Sequence, residues 1–195
     1  MLPAQTTGSG GTTLYYGDTG NAHRLQVFLE LRDRASAHLA ASLLDTFRDG
    51  ADAGDFVIEF HFAALMDDTV GGSGSRRALA ALGAAADVGA GPFMDYLGAL
   101  FAAQPFPPGD DGFGVPAKLL SVAGTVEGLR SPDFDAKVAQ DVYNTWAAEV
   151  TGAFESFGLL GTPAVRYDDT VLPVVNVDGT SVMTPRQFAE TLGSA

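Results

Sequence analysis

The chain has 195 residues, 46% of them hydrophobic and 18% charged, the proportions of a folded globular protein of one domain or of one domain with a sizeable insertion. Its 24 acidic and 11 basic residues leave a formal charge of -13, which repels phosphate backbones and anionic lipid surfaces and sets nucleic acid aside as a partner. There is no cysteine, so disulfides, thiolate metal sites, thiol nucleophiles and redox chemistry by the protein's own sulfur are excluded.

The opening "MLPAQTTGSGGTT" has neither a basic n-region nor an apolar h-region, and no apolar run further on is long enough to cross a bilayer. As it stands this predicts a cytoplasmic protein, or an exported one if a signal was trimmed. Residues 1–13 are small and polar and are expected to form a flexible lead-in. Leu25 to Leu31 is a short apolar run after the turn-like "GDTGN" and predicts a buried strand. Leu39, Leu43, Leu44 and Phe47 then fall at helical spacing, and "RDGADAGD" supplies a C-cap and loop. "FVIEFHF", Phe56 to Phe62, is apolar on both faces and predicts a central strand, parallel to the first across a helical crossover.

From Ser75 to about Phe157 the periodicity is helical, divided by Gly and Pro into four pieces. "PAVRYDD" and "LPVVNVDG" predict two strands at hairpin spacing. "TPRQFAETLG" closes the chain as a helix, with Thr184 as N-cap and Pro185 at the first position.

The order is therefore β-α-β, helices, β-β-α: an α/β chain on the thioredoxin plan with an all-helical insertion. Three stretches carry a more specific likeness. "GDTGNAHRLQVFLELRDRAS" resembles the opening of the DsbA-like thioredoxin family up to its Cys-Pro-x-Cys site. "SRRALAALGAAADVGAGPFMDYLGALFAAQP" resembles that family's insertion, and "FGLLGTPAVRYDD" the stretch where Gly-Thr-Pro sets a cis-proline opposite the active site. The resemblance divides the chain into a lead-in (1–13), an N-terminal thioredoxin half (14–70), a helical insertion (71–158) and a C-terminal half (159–195).

In that alignment Asp33 stands at the first cysteine, Arg34 at the proline, Ala35 beside it and Ser36 at the second cysteine. Thiol–disulfide exchange needs an attacking thiolate and a resolving thiol, so the resemblance implies a redox-inactive member. Asp33 keeps a negative charge where a helix N-terminus favours one by about 0.3–1 kcal/mol. Thr162 and Pro163 are what the family uses to present backbone to an extended peptide, which makes a peptide or protein the implied partner at that groove. A glutathione-dependent transferase or isomerase of the kappa or 2-hydroxychromene-2-carboxylate type, using Ser36, is the alternative; a structural role, with the helical block packed on another subunit, is the plainer one.

Other constellations are weaker. Ser36 and His38 point to different helix faces, and His23, His38 and His61 lack metal-ligand spacing, so neither a hydrolase triad, a metal nor any cofactor is expected. Lys137, near a further cysteine of some relatives, predicts an exposed lysine. "GGSGSRR" lacks the ending of a phosphate loop and predicts a flexible turn with Ser75 as N-cap. The carboxylates of "MDD", "GDD" and "YDD" are expected in solvated turns.

Overall fold

The structure is a computed structural model that describes residues 1–107, 109–176 and 178–193. Its N-terminal part contains β1 (Thr6–Thr7), β2 (Thr13–Tyr16), β3 (Arg24–Glu30), α1 (Arg34–Ala53) and β4 (Val57–Ala63). The helices α2 (Leu65–Val70), α3 (Gly74–Val88), α4 (Ala90–Ala102), α5 (Pro116–Ala123), α6 (Pro132–Ala139) and α7 (Asn144–Phe154) follow. The chain then closes with β5 (Ala164–Tyr167), β6 (Thr170–Leu172) and α8 (Pro185–Leu192). These strands form a sheet in the order β1-β2-β4-β3-β5-β6, in which β3 and β4 run parallel and every other neighbouring pair is antiparallel. This is the thioredoxin plan, β-α-β then β-β-α, with a helical block between the halves.

The central strands sort their residues by the period of two. Leu25, Val27, Leu29 and Leu31 of β3 and its end join Ile58, Phe60 and Phe62 of β4 in the main core, under α1. Phe28 and Ala63 point the other way and pack with Phe154 of α7 in a second, smaller cluster. Burial on both faces is why these strands are apolar almost throughout. Against this surface α1 lays the stripe Leu39, Leu43, Leu44, Phe47 and Ala51, at intervals of one and two turns. Each of those leucines, removed from water, contributes ~1.5–3 kcal/mol. The helix ends at Gly54, whose φ of 82° places it in the left-handed region a C-terminal glycine reaches without strain.

Two expectations change. The lead-in is docked: Thr6 and Thr7 pair with Leu14 and Thr13, Pro3 is buried, and the Trp146 indole N–H donates to the Gly11 carbonyl at 2.9 Å. Composition alone hides this, because the ordering comes from partners far along the chain. The C-terminal hairpin is tighter than its spacing suggests. Its second strand begins at Thr170 after a two-residue turn, Asp168 and Asp169, both with positive φ (44° and 69°). That is the primed turn whose twist matches paired strands. Pro173 ends β6, and of "VVNVDG" Val175 bridges to Val182, while Val177 lies outside the described residues. The closing helix begins as expected, Thr184 accepting from the Gln187 N–H in a reciprocal capping box.

Candidate functional site

At the junction of β3 and α1 the predicted site residues come together around one carboxylate. Asp33, extended at φ -81° and ψ 126°, is the N-cap of α1. Its oxygens accept from the backbone N–H groups of Ala35 (3.2 Å) and Ser36 (2.9 Å) and from the Ser36 hydroxyl (2.7 Å). The fourth donor is the Thr162 hydroxyl at 3.3 Å, on the opposite loop, where the Thr162–Pro163 peptide is cis. The carboxylate thus faces the proline loop and is turned inward onto the helix end.

Ser36 is buried. Its oxygen also accepts from the Glu30 N–H at 3.2 Å, while its own proton goes to Asp33, so it offers no hydrogen bond to a ligand thiolate. Ala35 lies against Gly179, where an added Cβ would come within 2.8 Å of it, and exposed His38 places Nδ1 3.3 Å from the Gly179 carbonyl. Arg34 is exposed, with its guanidinium carbon 4.7 Å from the centre of the Phe106 ring. Gln104, on the same loop as Phe106, donates from Nε2 to the carbonyls of Leu31 and Asp33 at 3.0 and 2.9 Å. Three loops therefore enclose the junction: residues 104–106, 161–163 and 178–181. The proline loop is open on its outer side. A Cβ at Gly161 would meet nothing within 4 Å, Leu160 is fully exposed, and the N–H and C=O of Thr162 make no hydrogen bond among the described residues.

Beneath the junction lies a charged network absent from the sequence expectations. Arg32, 1% exposed, reaches Asp67 at 2.9 Å and Asp111 at 3.4 Å and donates to the Gly71 carbonyl at 3.0 Å. Both carboxylates also cap α3. Asp67 accepts from the N–H groups of Ser75 (2.9 Å) and Arg76 (3.0 Å), and Asp111 from Gly74 (2.7 Å) and Ser73 (3.1 Å). Ser75 is therefore not the N-cap. The helix starts at Gly74, Ser73 makes no side-chain cap bond, and the anion site of this glycine-rich turn is filled from within. Asp67 and Asp111 are structural partners rather than solvated turn residues. Glycines make room: a Cβ at Gly72, Gly74 or Gly114 would fall 2.2–2.5 Å from the Asp111 carboxylate.

Two buried groups beside the site titrate abnormally. Glu30 accepts from the N–H groups of Arg32 and Met66, yet burial pushes its carboxyl up to about 7, with Asp67 adding to the rise. His61, 4% exposed, is pushed down to about 4 by burial, with Arg166 adding to the fall. It stacks on Phe28 at 4.7 Å, and its Nδ1 lies 3.4 Å from the Thr13 hydroxyl. His23 pairs instead with Asp168 at 2.6 Å, so the three histidines are apart, and among the described residues no group of three acidic or histidine side chains could hold a metal ion. Lys137 is not a free surface lysine: it bridges Asp87 (2.9 Å) and Asp133 (2.7 Å), which raises its pKa. No helix among the described residues is long and apolar enough to cross a membrane.

Sequence reasoning reached Asp33, Ser36, Thr162 and Pro163 and missed Arg32, Asp67, Asp111, Gln104 and Phe106. Their partners lie far along the chain, and the local traces are faint: an arginine at an apolar strand end, and glycines close to both aspartates.

No family model and no curated protein sequence matches the chain. Solved structures do. MdbA, a thiol-disulfide oxidoreductase from Actinomyces oris, superposes with a TM-score of 0.76 at 17% identity, over 100% of this chain and 89% of that one. Oxidised BdbD from Bacillus subtilis gives 0.73 at 15%, over 99% and 96%. Reduced DsbA from Mycobacterium tuberculosis gives 0.71 at 18%, over 92% and 86%. The chain has the fold of the DsbA-like thiol-disulfide oxidoreductases, helical insertion included, and no cysteine.

Proposed function

We propose that this chain is a redox-inactive DsbA-fold protein that binds an extended peptide or protein segment along the Thr162–Pro163 edge. Asp33 and Ser36 stand where exchange chemistry would need two sulfurs, and a carboxylate and a hydroxyl neither attack nor resolve a disulfide. The observation that carries the binding reading is the free main chain of Thr162, set beside the open space at Gly161. An extended segment laid there gains backbone hydrogen bonds, and alternate side chains find the surrounding loops. Asp33 serves this site by position: it ties the helix start to the Thr162 hydroxyl and so fixes the edge.

The test is fluorescence polarisation of a labelled library of extended peptides on the native chain and on Thr162→Trp, a bulky uncharged block, with melting temperature as a check on folding. Loss of binding by at least about tenfold, or 1.4 kcal/mol, is expected in the folded variant. Equal binding by both proteins removes this edge from the function.

A further inference from the structure

Among the described residues seven of the eleven basic side chains are ion-paired with carboxylates, which leaves Arg34, Arg76, Lys118 and Arg166. Of these, Arg34 directly follows a carboxylate, Asp33, yet makes no ion pair with it among the described residues. The reason is geometric, because Asp33 spends its oxygens on Ala35, Ser36 and Thr162. The guanidinium lies instead over Phe106, a ring 67% exposed, on a loop pinned to the junction by Gln104. A guanidinium resting on an aromatic face is held in one place while its in-plane N–H donors stay available. The result is a preplaced cation, one residue from Asp33 and without an ion-pair partner among the described residues.

Resting on the Thr162 edge as a peptide site, we propose that Arg34 selects extended segments carrying an Asp or Glu side chain near the residue that pairs with Thr162. The guanidinium fork matches one planar carboxylate in a bidentate pair. The overall charge of -13 opposes acidic ligands at long range, but at about 0.15 M salt it is screened beyond about 8 Å, so contact at Arg34 decides. The neighbouring carboxylate of Asp33 has its oxygens taken up by Ala35, Ser36 and Thr162, which leaves the guanidinium fork for a ligand carboxylate.

The test uses acetylated, amidated probes of the pattern Val-Thr-X-Val-Thr flanked by Gly-Ser, with X as Glu, Gln, Lys or phosphoserine, read by polarisation at about 0.15 M salt. The Glu probe should bind about fivefold tighter than the Gln probe, the scale of a well-placed exposed ion pair. That ratio should fall to one in Arg34→Gln and recover in part in Arg34→Lys, which keeps the charge and loses the fork. Equal binding of Glu and Gln probes by the native chain, a preference for Lys or phosphoserine, or a Glu preference surviving Arg34→Gln each overturns the assignment. The failures separate: if the probes bind the native chain and not Thr162→Trp, but X is indifferent, the site stands and carboxylate selection falls. If no probe binds the native chain, both fall together.

Discussion

Among the helix N-termini met by carboxylates, those of α1 and α3 are built for different ends. At α3 the donors go to Asp67 and Asp111, brought from opposite sides and locked by Arg32, with glycines where any Cβ would collide. At α1 a single residue, Asp33, caps its own helix, and the space beyond the facing loop is empty. Two caps of the same chemistry thus make a closed joint in one place and a rim in the other. The number of partners that must be present at once separates them.

The sharpest break in that comparison is Arg32→Met. Two carboxylates would lose a buried cation, and removal of one partner from such a group costs about 3–5 kcal/mol. Urea unfolding measures it; a loss under about 1 kcal/mol would mean that the helix N–H groups hold both aspartates unaided.

Next in size is Glu30, whose carboxylate links the two regions by accepting from Arg32 N–H and Met66 N–H. Its folded pKa of about 7 lies above the ordinary 4.5, so between those values the folded chain holds a proton that the unfolded chain has released. Stability from this group therefore falls as pH rises from about 4.5 to 7, by roughly 3 kcal/mol at 1.36 kcal/mol per unit. His61 runs the other way: depressed to about 4 from 6.5, it makes the folded state gain stability as pH rises across that interval. The two partly cancel, so the diagnostic quantity is the stability difference between the native chain and Glu30→Gln, followed from pH 4.5 to 7. A difference that stays flat rules out titration of Glu30 there.

Glycine replacement sharpens the contrast directly. Gly74→Ala puts a Cβ 2.5 Å from Asp111 and should cost about 1–3 kcal/mol. Asp33→Ala removes one helix cap and should cost about 1 kcal/mol, with Asp33→Asn recovering most of it. Gly161→Ala, where a Cβ meets nothing within 4 Å, should stay within about 0.5 kcal/mol. Thermal denaturation of the three variants side by side tests the order; Gly161→Ala proving as costly as Gly74→Ala would show the α1 rim to be closed too.

The same contrast explains what was legible in the sequence. The cap at Asp33 is a local event, an aspartate between an apolar run and a helical stripe, and strand, helix and cap can be read from residues 25–47. The paired strands, the proline loop and the capping box at Thr184 have short-range signatures of the same kind. The α3 cap does not: Asp67 and Asp111 lie 35 and 79 positions from Arg32 in the numbering, each in a stretch that by itself resembles a solvated turn. The docking of residues 3–13 was hidden for the same reason, since it depends on Asp87 and Trp146. Lys137 looked exposed because its partner Asp87 stands on another helix. Phe106 and Arg34 meet across 72 positions, a contact that no periodicity encodes.

The docked lead-in gives the molecule an optical property. Trp146 is the one tryptophan of the chain, buried, with its indole N–H on the Gly11 carbonyl and its ring beside Gly83. Intrinsic fluorescence excited at the indole thus reports on one place, the seat of the first strand on the helical block. Release of that segment wets the indole, and the emission moves to the red whether or not the Thr162–Pro163 edge has changed at all.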